Sequence, residues 1–179
     1  MPKLVAVVGG KHSGKTTIIE NLTRQLKGRR CRVGTIKEMV RIPTLDTPAT
    51  ETDRYTQAGA EVVVAVPRDE TVIFFKKRLS IKDILPYLSD LDYVLLEGFE
   101  SEKTLPKIIA AKTTEEVASF SDGLAIAISG LVAESKEETL NISELHVPLL
   151  SSVSQAEELA DIVERGAIEL ELKKSELPV

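Results

Sequence analysis

The sequence predicts an α/β fold of three layers, a mostly parallel sheet with helices on both faces and one antiparallel strand pair. Three observations predict it. Short β-branched runs alternate with segments of helical spacing along the 179 residues, the pattern of a parallel sheet joined by crossover helices. The first run, residues 4–8, is apolar throughout, as in a strand buried on both faces. It leads into Gly9-Gly10-Lys11-His12-Ser13-Gly14-Lys15-Thr16, which fits G-x-x-x-x-G-K-[ST] without a mismatch and opens a helix.

The elements follow in order. Ile18, Ile19, Leu22 and Leu26 give residues 16–26 the apolar stripe of a helix, which Gly28 is expected to close. Residues 31–36 read as the second strand, with Cys31 a small core residue on it. Residues 38–50 hold three threonines and two prolines without a period, hence a loop. Residues 51–58 form a short helix stopped by Gly59. Residues 61–66 and 71–75 are strands joined by Pro67-Arg68-Asp69-Glu70, a link short enough for an antiparallel hairpin that interrupts the parallel sheet. Ser80 caps a helix over 81–88. Residues 93–96 are a strand leading to Glu97-Gly98-Phe99, and 106–110, 124–128 and 147–150 are three more. A last helix covers 154–164. Residues 1–168 thus read as one nucleotide-binding domain and 169–179 as a charged tail.

Composition sets the limits. Hydrophobic residues make up 42% and charged residues 28%, a globular balance. A formal net charge of −5 argues against nucleic acid or an acidic membrane surface as partner. No apolar run approaches the roughly 20 residues of a membrane span, so a soluble, cytoplasmic protein is expected. One cysteine and two histidines exclude an internal disulfide and make a zinc site improbable.

The glycine-rich loop carries the chemistry. Successive backbone N–H groups from Gly9 to Thr17 surround phosphate oxygens, and side chains at Gly9 or Gly14 would obstruct the turn or the ligand. The helix adds its positive N-terminal end. Lys15 reaches the β- and γ-phosphates and the Thr16 hydroxyl coordinates magnesium. His12 fills a variable position of the loop, with no catalytic role expected. Glu97, at the end of an apolar strand, is the Walker B carboxylate for Mg2+. Asp92 lies at that strand's entry, on the wrong rim. Gly98 permits close approach to the γ-phosphate. Glu38, Asp46, Glu51 and Asp53 follow the second strand, where a second magnesium contact or a group positioning water often sits. Lys37 is either a phosphate partner or a surface lysine. Lys76-Lys77-Arg78 is a basic turn. The loops around Ser129-Gly130 and Ser151–Gln155 are placed to meet a base, although their serines also suit helix caps. These features define a three-layer P-loop NTPase fold.

With those residues in place, the sequence resembles the family of molybdopterin-guanine dinucleotide biosynthesis protein B, MobB, over roughly residues 3–165. The resemblance rests on the phosphate loop, Gly34-Thr35-Ile36-Lys37, Ala58-Gly59-Ala60-Glu61-Val62-Val63, the Asp92 to Phe99 segment and Pro106-Lys107-Ile108. It also rests on the string D-x-P-G-x-D-[ST]-x-R, which Asp46, Pro48, Thr52 and Arg54 fit, with Ala49 and Glu51 departing from it. Many members carry histidines after the lysine equivalent to Lys37. Here Glu38, Val40 and Arg41 follow, so no role of those histidines carries over.

The resemblance implies a homodimeric GTP-binding accessory protein with feeble Mg-dependent hydrolysis. Its partners would be a molybdenum cofactor guanylyltransferase and molybdopterin-bearing proteins, in making the guanine dinucleotide form of the molybdenum or tungsten cofactor. Lys15, Thr16 and Glu97 would hold Mg-GTP, with Asp46 a loop contact to metal or water. The strands within 61–75 and the strand 106–110 would form the dimer. Two other readings use the same loop. A small-molecule kinase needs arginines at the transferring group, for which Arg41 and Arg54 are better placed than Arg29, Arg30 and Arg32. A nickel-insertion GTPase needs histidine- or cysteine-based sites and an Asn-Lys-x-Asp base reader; Ala110-Ala111-Lys112-Thr113 does not supply the latter.

Overall fold

The computed structural model describes residues 1–39, 50–135 and 146–170. Five strands, β1 (Lys3–Val8), β2 (Val33–Lys37), β5 (Tyr93–Glu97), β6 (Lys107–Ala110) and β7 (Ala125–Ser129), form one parallel sheet in the order β2-β5-β1-β6-β7. Because β1 is central, its pleat sends side chains into two cores. Val5 and Val7 face α1 (Lys15–Gly28) and the last helix, α5 (Ala156–Gly166), meeting Ile18, Leu22, Leu159 and Val163. Leu4, Ala6 and Val8 face the other way, onto Ile81, Leu85, Val117 and Val132. Each of these side chains is at most 7% exposed, so both sheet faces are covered. After α5, Ile168 bridges Leu4 beside the start of β1.

The expected classes of element hold, and the differences have local causes. Helix α1 ends at Gly28 as expected, but the left-handed residue beyond it is Arg30, at φ 66°, while the N–H groups of Arg29, Arg30 and Cys31 return to Gln25, Lys27 and Leu26 carbonyls. Cys31 precedes β2 and is only partly buried against the core. The hairpin β3 (Val62–Ala65) and β4 (Val72–Phe75) does not interrupt the parallel sheet: it is a separate two-stranded sheet, with Val62 opposite Phe75 and Val64 opposite Ile73. Residues 147–150 contribute one bridge, Leu149 to Ile128, rather than a strand.

Helix α2 (Glu51–Gln57) is capped by Thr50, and Gly59 follows it at φ 103°. Helix α3 (Ile81–Ile84) has the expected Ser80 cap, reciprocated by Asp83, and tightens to a 3-10 turn at Leu85–Leu88, where Pro86 supplies no N–H. One helix was not expected, α4 (Thr114–Phe120). Its signal is Thr113 with Glu116 three residues on, a capping-box pair whose Thr113 side chain accepts the Glu116 N–H. The strand at 106–110 also differs from its expected role in a dimer. β6 lies between β1 and β7 with all four residues buried, so it has no free edge on which a dimer could form.

Candidate functional site

The parallel sheet brings all its strand ends to one rim. The loop leaving β1 is wedged between the ends of β6 and β7. A Cβ on Gly9, at φ 144°, would lie 1.9 Å from the Ala110 carbonyl oxygen, and one on Gly130 would lie 2.3 Å from that of Ser13. Glycine is therefore demanded by backbone packing at both places.

Within the loop, the Ser13 hydroxyl donates to the Gly10 carbonyl at 2.9 Å. Lys15 Nζ curls back to the Gly9 and Gly10 carbonyls at 2.6 and 2.5 Å, which sets its charge in the loop's mouth. His12 is at φ 58° and lines the cavity described below. Helix α1 starts at Gly14 with no side-chain cap and no acidic residue in its first turn. Thr50, Ser80 and Thr113 do cap α2, α3 and α4. The N-terminal N–H groups of α1 and their partial positive charge are thus left to an anion.

Register places the acid opposite. Val7 and Lys37 both align with Glu97. The Thr16 hydroxyl lies 3.2 and 3.4 Å from the two carboxylate oxygens of Glu97, and Lys37 Nζ is 2.8 Å from one of them. A cavity of about 710 Å³ lies over Lys11, His12, Ser13, Gly14, Lys15, Thr16, Thr17 and Glu97. Leu131, half exposed after β7, also lines it and escaped the sequence reading, since a lone leucine carries no motif.

Thr16 and Glu97 are hard oxygen donors beside a phosphate-shaped loop. They fit magnesium, which takes one or two protein ligands and completes its shell with phosphate and water. Among the described residues no group of three or more His, Cys, Asp or Glu converges, at this site or away from it. Asp46 lies outside the described residues.

Other expected residues fall elsewhere. Gly98, at φ 92°, does not line the cavity; a Cβ there would meet the Glu38 side chain at 3.1 Å. Glu38 accepts the Phe99 N–H at 2.9 Å and pairs with Arg78. Asp92 accepts the Arg32 N–H at the far rim, and Arg29 is bound to Asp161 and Glu164. Glu51 and Asp53 sit in the first turn of α2. Ser151 accepts the N–H groups of Val153 and Ser154, closing the turn before α5 rather than capping the helix, which has no side-chain cap. Glu116 faces Gly10; the Lys112 N–H holds its carboxyl below the usual range.

The sequence reading missed one buried ion pair. Lys107, 2% exposed, bonds Asp122 at 2.6 Å and the Glu100 carbonyl at 3.1 Å, tying the segment after Glu97 to the turn after α4. The signal was Pro-Lys-Ile, a lysine opening an otherwise apolar strand.

A parallel sheet with such a loop between its central strand and first helix defines the P-loop class of nucleotide-binding folds. The family model described as molybdopterin guanine dinucleotide synthesis protein B matches residues 4–133, and the chain belongs to that family. It is 33% identical over 131 residues to a putative molybdopterin-guanine dinucleotide biosynthesis adapter protein of Methanocaldococcus jannaschii, covering 70% of this chain and 54% of that one. An adapter protein of the same description from Haemophilus influenzae is 30% identical over 112 residues, covering 59% and 61%. The match thus spans little more than half the length of either relative. The crystal structure of Bacillus subtilis MobB superimposes with a TM-score of 0.72 at 22% identity, over 93% of this chain and 98% of that one. Among the described residues, no helix is long and apolar enough to cross a membrane.

Proposed function

We propose that this protein is a GTP-binding adapter in the making of molybdopterin-guanine dinucleotide, a cytoplasmic homodimer with weak Mg-dependent hydrolysis that serves a partner guanylyltransferase. The observation that carries the nucleotide reading is the assembled mouth of the loop. Lys15, the uncapped start of α1, and the Thr16–Glu97 pair face one cavity. Lys15 and the loop N–H groups would bind the triphosphate. Thr16 and Glu97 would hold Mg2+, which when bound neutralises phosphate charge, with Asp46 a further contact proposed from the family string. Adapter work rather than phosphoryl transfer is supported by family membership.

The test is differential thermal protection. Mg-GTP is expected to raise the melting temperature well above the shift given by Mg-ATP at equal concentration. Equal shifts would overturn the guanine assignment, and rapid turnover on adding a small acceptor would favour the kinase reading.

The homodimer has its own expectation. Val62, Val64 and Ile73 share one face of the hairpin and are 45%, 53% and 43% exposed. A two-stranded sheet with an aliphatic face is marginal unless that face is covered. Val64→Asp is expected to convert a dimer to a monomer in sedimentation. A variant that sediments as wild type would place the interface elsewhere.

A further inference from the structure

A second cavity, of about 660 Å³, opens beside the first, between the ends of β2 and β4 and the turn after β5. Its floor is apolar, made by Ile36, Phe75, Leu79, Ile84 and Phe99, and its rim carries Lys37, Lys76, Lys77 and Arg78 against one carboxylate, Glu38. The Lys37–Glu97 ion pair stands between it and the phosphate loop.

Two features separate this place from a solvated basic turn. Phe99 holds φ 60°, a left-handed conformation that a bulky side chain rarely adopts. It is fixed there by its N–H bond to one oxygen of Glu38, while the other oxygen of Glu38 takes Arg78. One carboxylate therefore sets both an aromatic wall and a guanidinium on the rim. In addition, the Phe75 ring is held against Tyr87, with centroids 5.5 Å apart.

The chemistry that fits follows from these parts. The volume is that of a small-molecule site, which runs to roughly 300–1,000 Å³. Phenyl rings and aliphatic side chains on the floor accept a flat ring system. Clustered ammonium groups and a guanidinium on the rim accept a phosphate. We propose that this cavity is a second binding site, distinct from the nucleotide loop, for a flat aromatic or heteroaromatic small molecule that bears a phosphate group.

The test is calorimetric titration of the whole chain with 1-naphthyl phosphate in magnesium-free buffer, alongside 1-naphthol and inorganic phosphate. Saturable binding at one site per chain is expected, with each half-molecule weaker by about tenfold or more. Lys77→Glu is expected to weaken the probe by about tenfold, as reversal of one charge at an anion site should. Phe99→Gly, which accepts φ 60° freely, is expected to lose the probe, and Lys77→Glu keeps the test open should Phe99→Gly fold poorly. Lys15→Ala is expected to bind the probe as wild type does. Three results would overturn the proposal: no saturation, unchanged binding in Lys77→Glu, or binding abolished by Lys15→Ala, which would put the probe in the nucleotide loop.

Discussion

Lys15→Ala is expected to abolish the thermal protection that Mg-GTP gives this protein. The ammonium is the one side-chain cation bonded inside the loop among the described residues, pinned by the Gly9 and Gly10 carbonyls. Charge-assisted hydrogen bonds to phosphate contribute about 1.5–3 kcal/mol each. Losing the donor that spans two phosphates should therefore cost about 100-fold or more in affinity. The unliganded protein should melt near the wild-type temperature, since Lys15 is only partly buried and its loop keeps the Ser13 to Gly10 bond. Calorimetric titration with Mg-GTP reads the loss directly, and an affinity within a few-fold of wild type would refute the site.

Asp122→Ala is expected to be the most destabilising single change considered, by about 3 kcal/mol, because removing one partner of a buried pair strands the other charge. Lys107 would keep only the Glu100 carbonyl while remaining 2% exposed. The reverse change should be milder. In Lys107→Met the aliphatic stem stays in place, and Asp122, 18% exposed, keeps Lys103 at 3.2 Å. Urea unfolding at neutral pH should rank the two in that order, and the opposite ranking would show that Lys107 is not held by this pair.

The pH dependence has a definite sign. The bond from Lys107, against an opposing effect of burial, holds the Asp122 carboxyl below its ordinary 3.8. A carboxylate lowered on folding adds stability that is fully present above its unfolded value and is lost as pH falls through the folded one. The gap between wild type and Asp122→Ala should thus be constant from neutral pH down to about 5 and shrink below about 4.

Much of this was legible in the sequence because it is written in local patterns. The apolar run before Gly9, the helical stripe of Ile18, Leu22 and Leu26, and the Ser80 cap each depend on residues a few positions apart. Helix α4 was equally local, through Thr113 and Glu116, but at seven residues it is too short to show a clear apolar stripe. The end of α1 at Gly28 was legible in the same way, whereas the left-handed residue beyond it, Arg30, carries no local signal.

The sequence by itself determined the family, the class of fold and the loop where an anion is expected, since these rest on residue types at fixed spacing. Only the tertiary structure decided which distant groups meet. Sheet register set Glu97 against Thr16 and Lys37, and packing closed Lys107 onto Asp122. The same packing turned Glu38, one of several loop carboxylates in sequence, into the clamp on Phe99 and Arg78. Such contacts join residues up to 81 positions apart. No local propensity encodes them; they exist only once the sheet has fixed the separation of its strand ends.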